Sequence, residues 1–387
     1  MEKKNTAIRV IDFYAIKSFH EMVTLSLLFI WGGIFDHVEY ISGRSAHDNI
    51  LKLNQQYSGK GYPEISFKCR WVCERDTSLG AFLRMCVGFL FVLKEFLFVR
   101  GKTLFYNYNN PFALPVILIL NRLLRKHVVI IFHGELELLI KKLPLYKVSA
   151  WYKMIHLFSF RYLLKGSHVK ILVLGDSIKR NMVKMFPQIG NNIISINHPY
   201  LFPDIEKQDV QKKKVIIGTV GTLPHEKGLD SLLRIGKVFE KDIADGKLDI
   251  KVVGKVAPSV YNMSEYSFIK WGGMDILSHD EFVKGIRELD YILYLYPPDS
   301  YKLTASGALL DSIAYIKPVI ALENEFFKEV FKECKIGYLC SSLEKVVDVI
   351  NVLLNRQETH STFIENLVEA RRLFGVEYNR ELLMRQL

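Results

Sequence analysis

Apolar runs of strand length alternate with segments of helical length, and this pattern occurs twice along the chain. In the first half the runs cover 8–14, 38–42, 103–108, 127–133, 169–175 and 193–197. Near-continuous Val, Ile and Leu runs separated by helices predict a parallel sheet covered on both faces. The pattern pauses at a polar stretch, 202–214, then restarts with 215–221, 248–254, 267–273, 290–296, 317–322 and 336–340. The predicted fold class is α/β, with two Rossmann-like doubly wound parallel-sheet domains. The predicted bounds are 1–200, a linker 201–214, a second domain 215–360, and a C-terminal helix 361–387 that packs back on the first domain. Helices are predicted over 343–356 and 360–387. An apolar fraction of 49% over 387 residues is enough to fill two such cores and excludes a disordered chain.

Charge divides unevenly between the halves. The first 200 residues hold 27 Lys and Arg against 13 Asp and Glu, whereas the remainder hold 25 against 28. The first half is therefore expected to meet an anionic surface or substrate. Five cysteines with no framework spacing indicate a reduced setting, and the Cys69/Cys73 pair, lacking a second pair, reads as free thiols. Lys17, His20 and Glu21 interrupt any signal-peptide core, and no run reaches 18 apolar residues; segment 79–100, broken by Arg84, Lys94 and Glu95, reads as a buried or interfacial helix.

Two loops in the second half have the make-up of anion sites. In 215–239 an apolar strand ends at Gly218, Gly221 and Thr222, a short loop carries His225, Glu226 and Lys227, and Gly228 opens an amphipathic helix. Backbone N–H groups at such a helix start favour phosphate. In 296–322 a strand runs into Ser300, Tyr301, Lys302, Thr304, Ser306 and Gly307, followed by a helix with Asp311 placed to accept from ribose hydroxyls. Each loop has a plainer reading, turn geometry in the first and a solvated Asp in the second.

These two segments resemble the donor-binding half of GT-B glycosyltransferases, the large family 4 type in particular. Glu226-Lys227-Gly228-Leu229-Asp230 matches one family motif, and Asp311 through Ile320 matches the Glu-Ala-x-Ala-x-Gly-Lys-Pro-Val-Ile motif. The resemblance implies two domains facing a cleft and a nucleotide diphospho-sugar co-substrate, with Gly221, Thr222, Lys227, Lys302, Thr304, Ser306, Gly307 and Asp311 on the donor. It departs at three places: the family Arg falls at Thr222, the helical Glu is Asp311, and the upstream Glu falls near Leu303. Lys302 is a candidate for the missing positive charge, and the retaining or inverting course stays open.

In the first domain the resemblance places His133 at the sugar, with Glu135 or Glu137 as base, and His20 beside Glu21 as a second base candidate. Strand-end histidines and first-turn glutamates that favour the helix dipole are the plain alternative. Asn197-His198-Pro199-Tyr200 falls at the expected interdomain hinge. Segment 141–165 has six Lys or Arg, no acidic residue, and Trp151, Tyr152, Phe158, Phe160 and Tyr162. Such a helix suits an interfacial membrane contact, or else a core helix with solvated lysines.

The combined expectation is a cytoplasmic glycosyltransferase, peripheral on the inner face of a membrane, acting on a glycan or lipid-linked acceptor in surface polysaccharide assembly. No cofactor, metal or nucleic-acid partner is expected; the chain contains no Asp-x-Asp. Alternatives are a sugar-nucleotide epimerase of the same architecture and a nucleic-acid binder using the basic half. A Walker-type NTPase fails, because Phe96 stands where Gly101-Lys102-Thr103 would need its upstream glycine.

Overall fold

The computed structural model describes residues 4–17, 19–57, 61–204, 214–256, 266–273, 275, 277–355 and 361–387. The chain divides into two compact units, Met1–Leu201 with Leu303–Ala305 and Leu373–Leu387, and Phe202–Lys302 with Ser306–Arg372.

The first unit is built on seven strands: β1 Lys4–Asp12, β2 Phe35–Gly43, β3 Ile65–Arg70, β4 Lys102–Tyr106, β5 Val128–Phe132, β6 Val169–Val173 and β7 Ile193–Ser195. Their order is β3-β2-β1-β4-β5-β6-β7, and every pair is parallel. Alternate side chains fill two cores. Ile11, Leu104 and Ile130 face one, with Phe96, Leu118 and Phe160, while Val10, Phe105 and Ile131 face the other, with Leu25, Trp31 and Leu383. This two-sided burial explains why the central strands read as unbroken apolar runs. Helix Glu21–Ile34 is buried over most of its length, and helix Val376–Met384 packs against it.

The second unit holds β8 Val215–Val220, β9 Leu248–Val253, β10 Tyr291–Tyr294, β11 Val319–Leu322 and β12 Gly337–Cys340. They run parallel in the order β12-β11-β10-β8-β9 around a core that includes Ile217, Leu232, Ile250, Leu293 and Ile320. Strand order reverses between β1 and β4 in the first sheet and between β8 and β10 in the second. At such reversals the connecting loops leave in opposite directions and open a crevice at the strand C-termini.

Three elements depart from the sequence expectation. β3 was not anticipated, because it is an edge strand in which Ile65 alone is buried, so it carries no apolar run. The expected strand 267–273 is reduced to one bridge, Lys270 with Lys251, in which the Lys270 N–H donates to the Ile250 carbonyl and Gly272-Gly273 follows at once. The expected helix 360–387 is two helices, Ser361–Leu373 and Val376–Met384, separated at an extended Gly375. Residues 205–213 of the expected linker and 356–360 between the two C-terminal helical predictions lie outside the described residues. Among the described residues no helix is long and apolar enough to cross a membrane, and the five cysteines are free.

Candidate functional site

The second unit's candidate residues stand on the loops leaving β8 and β10. Past Val220, Gly221 turns the chain at φ 80, a conformation that costs an L-residue about 1–2 kcal/mol. A short turn, His225–Lys227, leads to Gly228 at φ 92. A Cβ there would lie 2.1 Å from the Leu295 carbonyl oxygen, so only glycine lets the start of helix Leu229–Val238 meet the end of β10. That close approach brings the two loops together. Thr222 is exposed, and His225 pairs with Asp230 at 2.9 Å. Lys227 is half-buried with no ion-pair partner among the described residues, and burial lowers its pKa.

Beyond β10 an aromatic lining forms. Tyr301, at φ 59, stacks on Tyr296 with ring centroids 4.5 Å apart, and the Tyr296 hydroxyl meets the buried Ser306 hydroxyl at 3.3 Å. Gly307 opens helix Ala308–Ala314, in which burial pushes the Asp311 carboxyl up to about 7. Its carboxyl has no hydrogen-bond partner among the described residues. Lys302 is engaged with Asp299 at 2.9 Å. The motif lysine Lys317 is buried and donates to the Arg287 and Leu289 carbonyls, 2.8 and 2.6 Å away, so it straps helix His279–Glu288 to the sheet.

In the first unit three histidines meet near the C-terminal ends of β1, β5 and β7. His20, with left-handed backbone at φ 56, stacks its ring on His133 at 4.5 Å and 15°. His133 Nε2 lies 2.9 Å from the Asn107 carbonyl. A carbonyl only accepts, so Nε2 carries a proton and donates to it. Nδ1 is buried with no hydrogen-bond partner among the described residues. Burial, then the charges of His133 and His198, hold His20 down at about 3; burial and then His133 hold His198 at about 3. His20 and His198 are thus held in the neutral form near pH 7.

Glu135 and Glu137 separate in role. Glu135 Oε2 accepts the His133 and Gly134 backbone N–H groups at 2.8 and 3.0 Å, while its buried Oε1 has no partner among the described residues. Glu137 accepts the Leu303 N–H at 2.7 Å. Thr304 donates to the His133 carbonyl at 3.0 Å, so it joins the histidines within the first unit. Sequence reasoning missed Asp12 and Asn107, which sit at the ends of β1 and β4 on either side of the strand reversal. Asp12 accepts the Tyr14 and Ala15 N–H groups at 3.1 and 2.9 Å and the Asn107 amide at 2.9 Å. Their signal was a polar residue closing an apolar run. Among the described residues no group of three His, Cys, Asp or Glu side chains is placed to hold a metal ion.

Comparison with known proteins fixes the architecture. The chain matches Anabaena HepE, solved in complex with UDP, at a TM-score of 0.62 over 98% of this chain and 99% of that one, with 13% identity. A glycosyltransferase from Rickettsia africae gives 0.62 over 99% and 98% with 13% identity. WaaG, a glycosyltransferase involved in lipopolysaccharide biosynthesis, gives 0.63 over 98% of both chains with 12% identity. The fold is GT-B. No protein-family model matches the chain. In sequence it is 23% identical over 235 residues to a protein described as an uncharacterized glycosyltransferase of Haemophilus influenzae, a match spanning 58% of this chain and 62% of that protein. Within this GT-B chain the loop that carries the first family-like motif meets, at Gly228 and Leu295, the loop that leads into the helix of the second.

Proposed function

We propose that the protein is a glycosyltransferase that moves a sugar from a nucleotide diphospho-sugar to a glycan or lipid-linked acceptor. One observation carries the donor half of this reading: at the second sheet's strand reversal, a half-buried Lys227 with no ion-pair partner among the described residues stands on the loop after β8, and Asp311, its carboxyl pushed up to about 7 by burial, stands on the helix that follows the β10 loop. Lys227 and the amides around Gly221 and Thr222 stabilise the departing diphosphate, and Asp311 accepts from the ribose. Solved GT-B relatives that hold UDP, or UDP with glucose, support the same assignment. His133 addresses the sugar through Nδ1, and Glu135, through Oε1, takes the acceptor proton. No metal is required for these steps.

The acceptor is a surface glycan or its lipid-linked precursor, reached by peripheral docking on the cytoplasmic face of a membrane. Tyr146, Trp151, Met154, Phe158 and Tyr162 are exposed on and beside helix Val148–Phe158, interspersed with Lys147, Lys153 and Arg161. An apolar and cationic face of this kind partitions into anionic lipid headgroups.

Release of nucleoside diphosphate from UDP-, GDP- and dTDP-hexoses, measured with a membrane lipid extract as acceptor source and with or without EDTA, tests the reading. Release from one donor that survives EDTA and is lost in Lys227→Ala and Glu135→Gln supports it. Conversion of the sugar nucleotide to an epimer without transfer would replace it with the epimerase reading, and failure with every donor would contradict both.

A further inference from the structure

Helix Ser78–Phe98 is apolar on both sides, and the first unit covers only one of them. Toward the core it sets Met85, Gly88, Val92 and Phe96. Two of its charges also turn inward and are satisfied there: Arg84 donates to the Cys73 and Arg75 carbonyls at 2.8 and 2.9 Å, and Glu95 pairs with Arg9. Outward stand Leu79, Phe82, Leu83, Leu90, Leu97 and Phe98, with Leu90 65% and Phe98 75% exposed. Among the described residues Lys94 is the only exposed charge on this helix. A helix of 21 residues that is apolar all round is ordinarily covered all round.

The face continues over the neighbouring helices. Helix Ala113–Leu124 packs beside the first and exposes Ile119, Leu123 and Leu124. Helix Val148–Phe158 and its π-helical continuation Ser159–Leu163 come next. Arg122 donates to the Tyr162 and Leu163 carbonyls, both at 3.1 Å, and the Phe112 and Tyr152 rings meet edge to face at 5.7 Å. Lys126 donates to the Leu97 and Val99 carbonyls at 3.1 and 2.7 Å, which ties the end of the first helix to the second. More than half of the exposed large apolar side chains among the described residues stand on these helices. A patch of that extent, held in place by such ties, marks an interaction surface.

Charge names the partner. Residues 77–175 hold fourteen Lys and Arg against three carboxylates. The carboxylates are engaged within the unit, Glu95 by Arg9, Glu135 by the His133 and Gly134 N–H groups, and Glu137 by the Leu303 N–H. Arg100, Arg125, Arg161 and Lys165 are exposed at the C-terminal ends of the helices, and Lys142 and Lys147 ahead of the third. A second copy docked here about a two-fold axis would set this cationic rim against itself. A lipid leaflet offers acyl chains to the apolar centre and anionic headgroups to the rim.

We infer that the outward faces of helices Ser78–Phe98 and Ala113–Leu124 join helix Val148–Phe158 in one surface that lies among the acyl chains of an anionic leaflet. Among the described residues no helix is long and apolar enough to cross, so the three lie in the plane of the leaflet. Lys94 reaches the headgroups on its apolar stem. The inference goes beyond the headgroup contact of helix Val148–Phe158 proposed above, and it holds whether or not the chain transfers a sugar.

The test is sedimentation of the full chain with vesicles of phosphatidylcholine and phosphatidylglycerol, at low salt and at about 1 M NaCl, where the screening length falls to about 3 Å and headgroup attraction is largely screened. Binding should weaken yet persist at high salt. A Leu90→Ser, Leu97→Ser, Leu123→Ser triple variant changes exposed positions alone, so it should keep the wild-type melting temperature and bind at least about tenfold more weakly at high salt. Fluorescence of Leu90→Trp should shift to the blue with vesicles and be quenched by bromine on the acyl chains, beyond the response of the wild type. High-salt binding that the triple variant retains, or an added indole that stays unquenched, overturns the inference. Binding that is abolished by high salt and by Trp151→Ser, Phe158→Ser but left intact in the triple variant also overturns it, while the single-helix contact stands. A lipid-free dimer in sedimentation velocity that the triple variant splits would assign the face to a second copy and overturn it as well.

Discussion

The histidine cluster shows how single residues set the chemistry of the first unit. His20 and His198 are held near 3 by burial and by their neighbours, far below the ordinary value near 6.5. In the unfolded chain both take protons as pH falls through about 6.5, whereas the folded chain refuses them until about 3. Stability from this source is complete above that unfolded value and is lost progressively as pH drops toward 3. Thermal unfolding from pH 7 to 4.5 should show this loss, and His198→Gln should flatten the slope by roughly one proton. An unchanged slope would mean that His198 is protonated in the fold. Asp311 has the opposite sign: its raised value means that the neutral carboxyl is favoured, so stability fades as pH climbs from about 4 through 7. Asp311→Asn should therefore hold its melting temperature between pH 6 and 8 better than the wild type while losing at least about tenfold in nucleoside diphosphate affinity.

Elements determine how those residues meet, and here the sequence was partly legible. The central strands were readable because both faces are buried, and the loops after β8 and β10 were readable because motif residues sit on them. The joining of the loops was not, since it depends on Gly228 lying against the Leu295 carbonyl, a contact between positions 67 apart in sequence. Gly228→Ala and Gly221→Ala separate the two glycine roles. Gly221 turns at φ 80 into open space, so Ala there costs about 1–2 kcal/mol of backbone strain and little more. Gly228→Ala adds a collision with the β10 backbone and should cost over about 2 kcal/mol by urea unfolding, with loss of nucleotide binding. The edge strand β3 was invisible for a related reason. An edge strand lacks the two-sided apolar signature.

At the scale of the molecule, each unit closes its own core, and the first takes in the last residues of the chain. Leu383 is fully buried in the cluster with Leu25 and Trp31, so Leu383→Ala should destabilise the first unit by about 2–5 kcal/mol and leave nucleotide affinity, which the proposed donor site places in the second unit, unchanged. The basic charge of the first half and the exposed Trp151 and Phe158 predict sedimentation with anionic vesicles that weakens with salt and in a Trp151→Ser, Phe158→Ser double variant. Whether the loops after β8 and β10 hold a nucleotide diphospho-sugar donor is decided by thermal stabilisation with UDP, GDP, dTDP and CMP in the presence of EDTA. One nucleoside diphosphate should raise the melting temperature of the wild type and not of a Lys227→Ala, Asp311→Asn double variant. Equal shifts in both proteins, or none with any nucleotide, would contradict it.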